Sequence, residues 1–106
     1  MGKMVKLNGV RISRTRLASF CRKNHIRKLA FFGSVLRKDF KKKSDIDVLV
    51  EFDPRHIPGL IGFVHMEGEL SEIFGRKVDL NTPHSLSPYF RDQVLSEARV
   101  GYESTP

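Results

Sequence analysis

The sequence predicts an α/β (α+β) domain, a small mixed β-sheet packed by three principal helices, and three patterns carry that prediction. An apolar run, Leu29 to Phe32, stops at Gly33-Ser34; ten residues further on a second run opens with Asp45-Ile46-Asp47 and continues through Val48 to Val50. Short apolar runs bounded by turn residues read as strand, turn, strand. Segments of helical period stand before and after this pair, and a short third run, Val78-Asp79-Leu80, lies between two of them. In 106 residues this leaves room for one domain, residues 1–106, with no internal repeat or low-complexity linker to mark a second.

Taken in order, residues 1–11 carry no signal-peptide core or cleavage pattern and are expected as a lead-in, flexible in part. Ser13 is placed as an N-cap, and the segment RTRLASFCRKN puts Leu17, Phe20 and Cys21 at helical spacing with basic residues opposite. Cys21 on that apolar side reads as a packed thiol. Asn24-His25 turns the chain into a strand, Ile26 to Phe32, and a short helix is expected after Gly33-Ser34. Lys38, Lys41, Lys42 and Lys43, broken by Asp39 and Phe40, read as a basic loop before Ser44 turns into the next strand. Pro54 to Gly59 has the proline and glycine density of a loop and is placed at the rim of the site. Leu60, Phe63, Val64, Met66, Leu70, Ile73 and Phe74 are expected as the inner face of the main core helix, stopped by Gly75. After a turn at Pro83, Ser87-Pro88 reads as the N-cap and first position of a closing helix whose apolar side is Phe90, Val94, Leu95 and Ala98.

Composition narrows the function classes. Nineteen Lys and Arg against twelve Asp and Glu give a net charge of +7, which attracts nucleotides, nucleic acid or an acidic protein face alike. One cysteine rules out an internal disulfide framework and a cysteine-based zinc site, and His25, His56, His65 and His84 lack ligand spacing. No apolar run approaches the ~20 residues of a membrane span, so a cytoplasmic protein with no membrane role is expected. A chain of this size buries about 60–70% of its unfolded surface. Little remains to build a deep second-substrate pocket, so help from a second chain, in a hetero-oligomer, is expected.

The chemistry concentrates at residues 31–52. Residues two apart in a strand share a face, so Asp45 and Asp47 project together, about 6 to 7 Å apart along the backbone. At an effective dielectric near 20, two carboxylates at that distance repel by roughly 2 to 3 kcal/mol. A cation belongs there, and oxygen ligands alone suit a hard ion such as Mg²⁺, which shares itself with phosphates. Gly33-Ser34 supplies the other half: a glycine after a strand lets backbone N–H groups approach an anion, and a helix starting there adds its positive end. Ser34 adds a hydroxyl donor. Arg37, about one turn further on, is placed to hold a phosphate with both arms of its guanidinium.

Gly33-Ser34, ten residues, then Asp45-x-Asp47 resembles the signature of the DNA polymerase beta superfamily of nucleotidyltransferases. The similarity is greatest to the minimal nucleotidyltransferase (MNT) branch, antitoxins paired with HEPN-domain toxins, whose pattern after Gly-Ser is x-A-R-G before S-D-I-D. Val35-Leu36-Arg37-Lys38 keeps the arginine and departs at Leu36 and Lys38. The resemblance covers nearly the whole chain and implies the polymerase beta-like fold. It also implies a third metal carboxylate on a neighbouring strand, for which Asp79 in Val78-Asp79-Leu80 is the candidate. By the same resemblance two Mg²⁺ ions are shared by Asp45, Asp47 and Asp79, ATP is the substrate, and AMP passes to a tyrosine of a HEPN-type ribonuclease toxin. The alternatives left open are nucleotidyl transfer to a small molecule or RNA, and a non-catalytic subunit that binds a partner protein or nucleic acid.

Overall fold

A computed structural model describes residues 4–37 and 44–104 of the protein. Residues 1–3 and the basic run at Lys38, Lys41, Lys42 and Lys43 lie outside the described residues. The rest of the expected lead-in is ordered structure: β1 (Met4–Leu7) pairs antiparallel with β2 (Val10–Ser13), Val5 opposite Ile12 and Leu7 opposite Val10. Asn8 and Gly9 between them have φ of 35° and 91°. Left-handed backbone at both central positions is the two-residue turn whose twist suits a hairpin. Val5, Leu7, Val10 and Ile12 are buried, and such burial contributes about 1.5–3 kcal/mol per side chain, which holds the hairpin on the domain.

The helix α1 (Arg14–Lys23) starts where expected, with Ser13 Oγ accepting the Arg16 N–H at 3.4 Å, and it buries Leu17, Phe20 and Cys21. His25, at φ 58°, turns the chain into β3 (Ile26–Phe32). Then follow β4 (Ile46–Phe52), α2 (Leu60–Phe74), β5 (Val78–Asn81), α3 (Pro88–Glu97) and β6 (Arg99–Glu103). The second sheet has the order β5-β4-β3-β6; β3 is antiparallel to β4 and β6, while β4 and β5 are parallel, so the sheet is mixed.

β6 was absent from the sequence expectation. It lies along the free edge of β3, and Gly101 allows the approach, since a Cβ there would stand 2.5 Å from Phe31 Cε2. The core packs Leu29, Phe31, Val48, Val50, Val78 and Leu80 with residues of the hairpin, α1 and α2. Gly75, at φ 67°, ends α2 in the left-handed cap expected of it.

Two helices depart from their expected faces. In α2 the buried stripe is Met66, Leu70 and Phe74, four residues apart, and Phe63 and Ile73 pack beside it. Leu60 and Val64 lie off that stripe around the helix, 80% and 55% exposed. In α3, Ser87 caps and Pro88 starts the helix as expected, yet no α3 side chain is buried, and Phe90 and Leu95 are exposed. Among the described residues no helix is long and apolar enough to cross a membrane.

Candidate active site

The two halves of the motif meet because β3 and β4 are antiparallel neighbours, with Phe32 opposite Asp47. The chain leaves β3 through Gly33 at φ 75°. A side chain there is excluded twice: by that backbone angle and by Asp47, whose Oδ2 would stand 2.3 Å from a Cβ. Gly33–Leu36 then forms a single 3₁₀ turn, closed by the Arg37 N–H donating to the Ser34 carbonyl at 2.9 Å. The short helix expected here is this one turn, too short to carry a long helix dipole, so its backbone N–H groups are the candidate donors to an anion. Arg37 is extended and exposed just past the turn.

Parallel pairing of β4 and β5 sets Asp47 beside Asp79 in register, and Asp45 stands one residue before β4. Side-by-side residues of neighbouring strands share a face. The consequence is electrostatic: the Asp47 carboxyl is pushed up to about 6, first by burial, then by the charges of Asp79 and Asp45 and a hydrogen bond with the Asp79 carboxyl, while the Arg37 guanidinium opposes the rise. The structure thus brings Gly33, Ser34, Arg37, Asp45, Asp47 and Asp79 to one end of the sheet.

Among the described residues no three acidic, histidine or cysteine side chains already close around a single point. The donor set nonetheless fits a hard divalent cation. It offers carboxylate oxygen alone, with Asp47 and Asp79 on adjacent in-register strands, and burial together with the neighbouring carboxylate charges raises the Asp47 carboxyl above the ordinary range.

Residues without a motif of their own support the acids. The Arg76 guanidinium donates to the Ser44 carbonyl at 3.1 Å, the Ile46 N–H donates to the Lys77 carbonyl at 2.9 Å, and Lys77 Nζ stands 3.8 Å from Asp45 Oδ2. On either side of Asp79, β5 is held by α2: the Val78 N–H donates to Ser71 Oγ at 3.0 Å and the Leu80 N–H to Glu67 Oε2 at 2.8 Å. These acceptors satisfy donors on an edge strand that would otherwise invite another strand. Sequence reading missed them; the available signal was Glu67 and Ser71 one turn apart amid the apolar residues of α2.

Other expected features fall elsewhere. The loop Pro54 to Gly59 follows the far end of β4 from the aspartates, so it does not rim them; it lines an apolar cleft of about 650 Å³ with Phe63 and Thr82 to Ser85. Cys21 is buried, which pushes its thiol up to about 12 and keeps it protonated. His25 and His56 stack at 3.8 Å between centroids, also beyond that far end.

A mixed sheet that sets three aspartates against a glycine turn and an arginine defines an enzyme of the nucleotide-transferring class. Residues 14–100 match the family model for the nucleotidyltransferase domain, and the chain belongs to that family, in its minimal branch. It is similar to the protein adenylyltransferase MntA of Thermococcus cleftensis, 38% identical over 72 residues that span 68% of this chain and 71% of that protein. In fold it is similar to a solved toxin-antitoxin complex with AMP-PNP, at TM-score 0.70 and 20% identity, over 87% of this chain and 74% of the other. The complex of tri-AMPylated Shewanella oneidensis HEPN toxin with MNT antitoxin is also similar in fold, at TM-score 0.62 and 20% identity, over 86% of this chain and 70% of the other.

Proposed function

We propose that this nucleotidyltransferase is a Mg²⁺-dependent antitoxin that moves AMP from ATP to a tyrosine of a HEPN-type toxin in the cytoplasm. The observation that carries the site assignment is the in-register pair Asp47 and Asp79, with Asp45 beside them, packed against Gly33. The names of its relatives support the adenylyl donor and the protein acceptor.

Gly33, Ser34 and Arg37 hold the triphosphate through backbone N–H groups, a hydroxyl and a guanidinium. Asp45, Asp47 and Asp79 would hold the divalent ions, two by analogy with the family, and the ions would supply neutralisation of phosphate charge and a lowered pKa for the attacking hydroxyl. The phenolic oxygen bonds to the α-phosphorus, the bond to the bridging oxygen breaks and pyrophosphate leaves. Asp79, exposed on its strand, accepts the phenol proton. The chain's own work is alignment and charge placement, as in phosphoryl transfer generally. The apolar cleft lies at the far end of β4, which supports an acceptor that arrives on another chain.

The test is incubation of the protein with ATP, Mg²⁺ and a HEPN-type toxin, read by mass spectrometry of the toxin. Addition of AMP to a tyrosine, abolished by Asp45→Asn with Asp47→Asn, is the expected result. A toxin silenced without change of mass would replace transfer by docking alone.

A further inference from the structure

We infer that Asn8, at the tip of the N-terminal hairpin, is a positioning residue for the nucleotide-binding turn: its side-chain amide holds the segment carrying Ser34 and Arg37 ready for phosphate. Asn8 Nδ2 donates to the Val35 carbonyl at 2.8 Å and to the Arg37 carbonyl at 2.7 Å, across 27 and 29 residues of chain. One NH₂ group thus spans the turn's interior and its exit. The inference rests on the proposed role of Ser34 and Arg37 as phosphate ligands.

The turn needs such a restraint. At its C-terminal end the turn is closed by the bond from the Arg37 N–H to the Ser34 carbonyl, and a short 3₁₀ element, with its poorer hydrogen-bond geometry, holds weakly. Val35 is fixed by complete burial, whereas Arg37, at the exit of the turn, is exposed. The shorter of the two bonds falls on the Arg37 carbonyl, at this exposed exit of the turn. The donor stands on a firm base, because Leu7 and Val10, which flank the Asn8-Gly9 tip, are both buried.

Turn chemistry alone accounts for the backbone of Asn8 and leaves its side chain unexplained. At φ 35° an asparagine is favoured, and a glycine would serve as well. Neither requirement aims an amide at two carbonyls of a loop that leads to the aspartates. The hairpin also precedes residues 14–100, the part that matches the family model, so this restraint is supplied to the catalytic domain from outside its matched region.

Asn8→Gly separates the two roles, since it keeps the left-handed turn and removes the donors. Asn8→Asp, which tolerates the same backbone and faces the carbonyls with acceptors, is the second variant. The measurements are Mg²⁺-ATP affinity by calorimetry and amide hydrogen exchange of the whole chain, with Arg37→Ala made alone and combined. With the hairpin amides still protected, the Arg37 amide is expected to exchange faster. ATP binding is expected to weaken about tenfold, as when the competent conformation falls to about a tenth of the population. In the Arg37→Ala background Asn8→Gly should cost less than it does alone, because both act through one contact. Wild-type ATP affinity in Asn8→Gly and Asn8→Asp overturns the inference, and so do additive losses in the combined variant, which would assign Asn8 to hairpin stability. Wild-type affinity in Arg37→Ala alone would instead remove the phosphate role of Arg37, leaving the affinity of Asn8→Gly to decide the role of Asn8.

Discussion

Gly33 and Asp47 approach so closely that a Cβ on the glycine would stand 2.3 Å from Asp47 Oδ2. The contact joins the Gly33 turn to the acidic cluster, and it makes Gly33→Ala a sharp probe. At φ 75° the new methyl is strained before it meets the carboxylate, and the unfolding free energy should fall by about 1–3 kcal/mol. Chemical denaturation measures that loss beside a transfer assay, in which activity should vanish because Asp47 is displaced. An active Gly33→Ala enzyme would show that the close approach is dispensable.

Asp47 makes the site pH-sensitive in a defined direction. Its carboxyl is raised from 3.8 to about 6, so between those values the native state keeps a proton that the unfolded chain releases. The native state then binds more protons, and this contribution to stability falls as pH rises through that window. A divalent cation held by the proposed site would compete with the same proton. The rise in thermal midpoint on adding Mg²⁺ should therefore be larger at about pH 7.5 than at about pH 5, and absent in Asp45→Asn with Asp47→Asn. An equal rise at both pH values would place the cation elsewhere.

Asp79 is separable from the other two acids. With Asp79→Asn, Mg²⁺-ATP should still bind through Asp45, Asp47 and the Gly33 turn, while transfer falls by at least the ~10² of a general base. Calorimetry and a rate measurement on the same sample, with circular dichroism as the check on folding, separate binding from chemistry. A wild-type rate would reduce Asp79 to a solvated strand residue.

Glu67 should matter to both stability and rate although it lies on α2. Glu67→Ala leaves the Leu80 N–H, part-buried beside Asp79, without its acceptor, at a cost of about 1–3 kcal/mol. Glu67→Gln keeps an acceptor oxygen and should restore most of it. Hydrogen exchange at Leu80, followed with the transfer rate in both variants, reads the effect; equal rates in Glu67→Ala and wild type would confine Glu67 to edge protection.

Much of this was legible in the order of residues. Strand β3 at Ile26 to Phe32, the caps at Ser13 and at Ser87-Pro88, and the stop at Gly75 follow from side-chain periodicity and turn chemistry, which act within a few residues. Asn8-Gly9 between alternating apolar residues was an equally local signal, and overlooking it made a lead-in of a hairpin. Gly33, Ser34, Asp45 and Asp47 stood out through the spacing of Gly33-Ser34 and Asp45-x-Asp47, Arg37 followed one turn on, and Asp79 came from the family resemblance; the structure brings all six to one end of the sheet.

What the chain's order determined by itself, then, is where most of the short strands, helices and turns fall, and which carboxylates, hydroxyl and guanidinium are candidates for a metal and a phosphate. Tertiary structure alone decided that Asp79 lies in register with Asp47, that β6 covers the edge of β3, that Leu60 and Val64 face away from the core, and that Asn8 reaches Val35 and Arg37. Each of these joins or separates elements far apart in sequence. Pairing register and packing are settled by the burial and hydrogen bonding of the whole assembled chain, and no local pattern records which distant partner an element will meet.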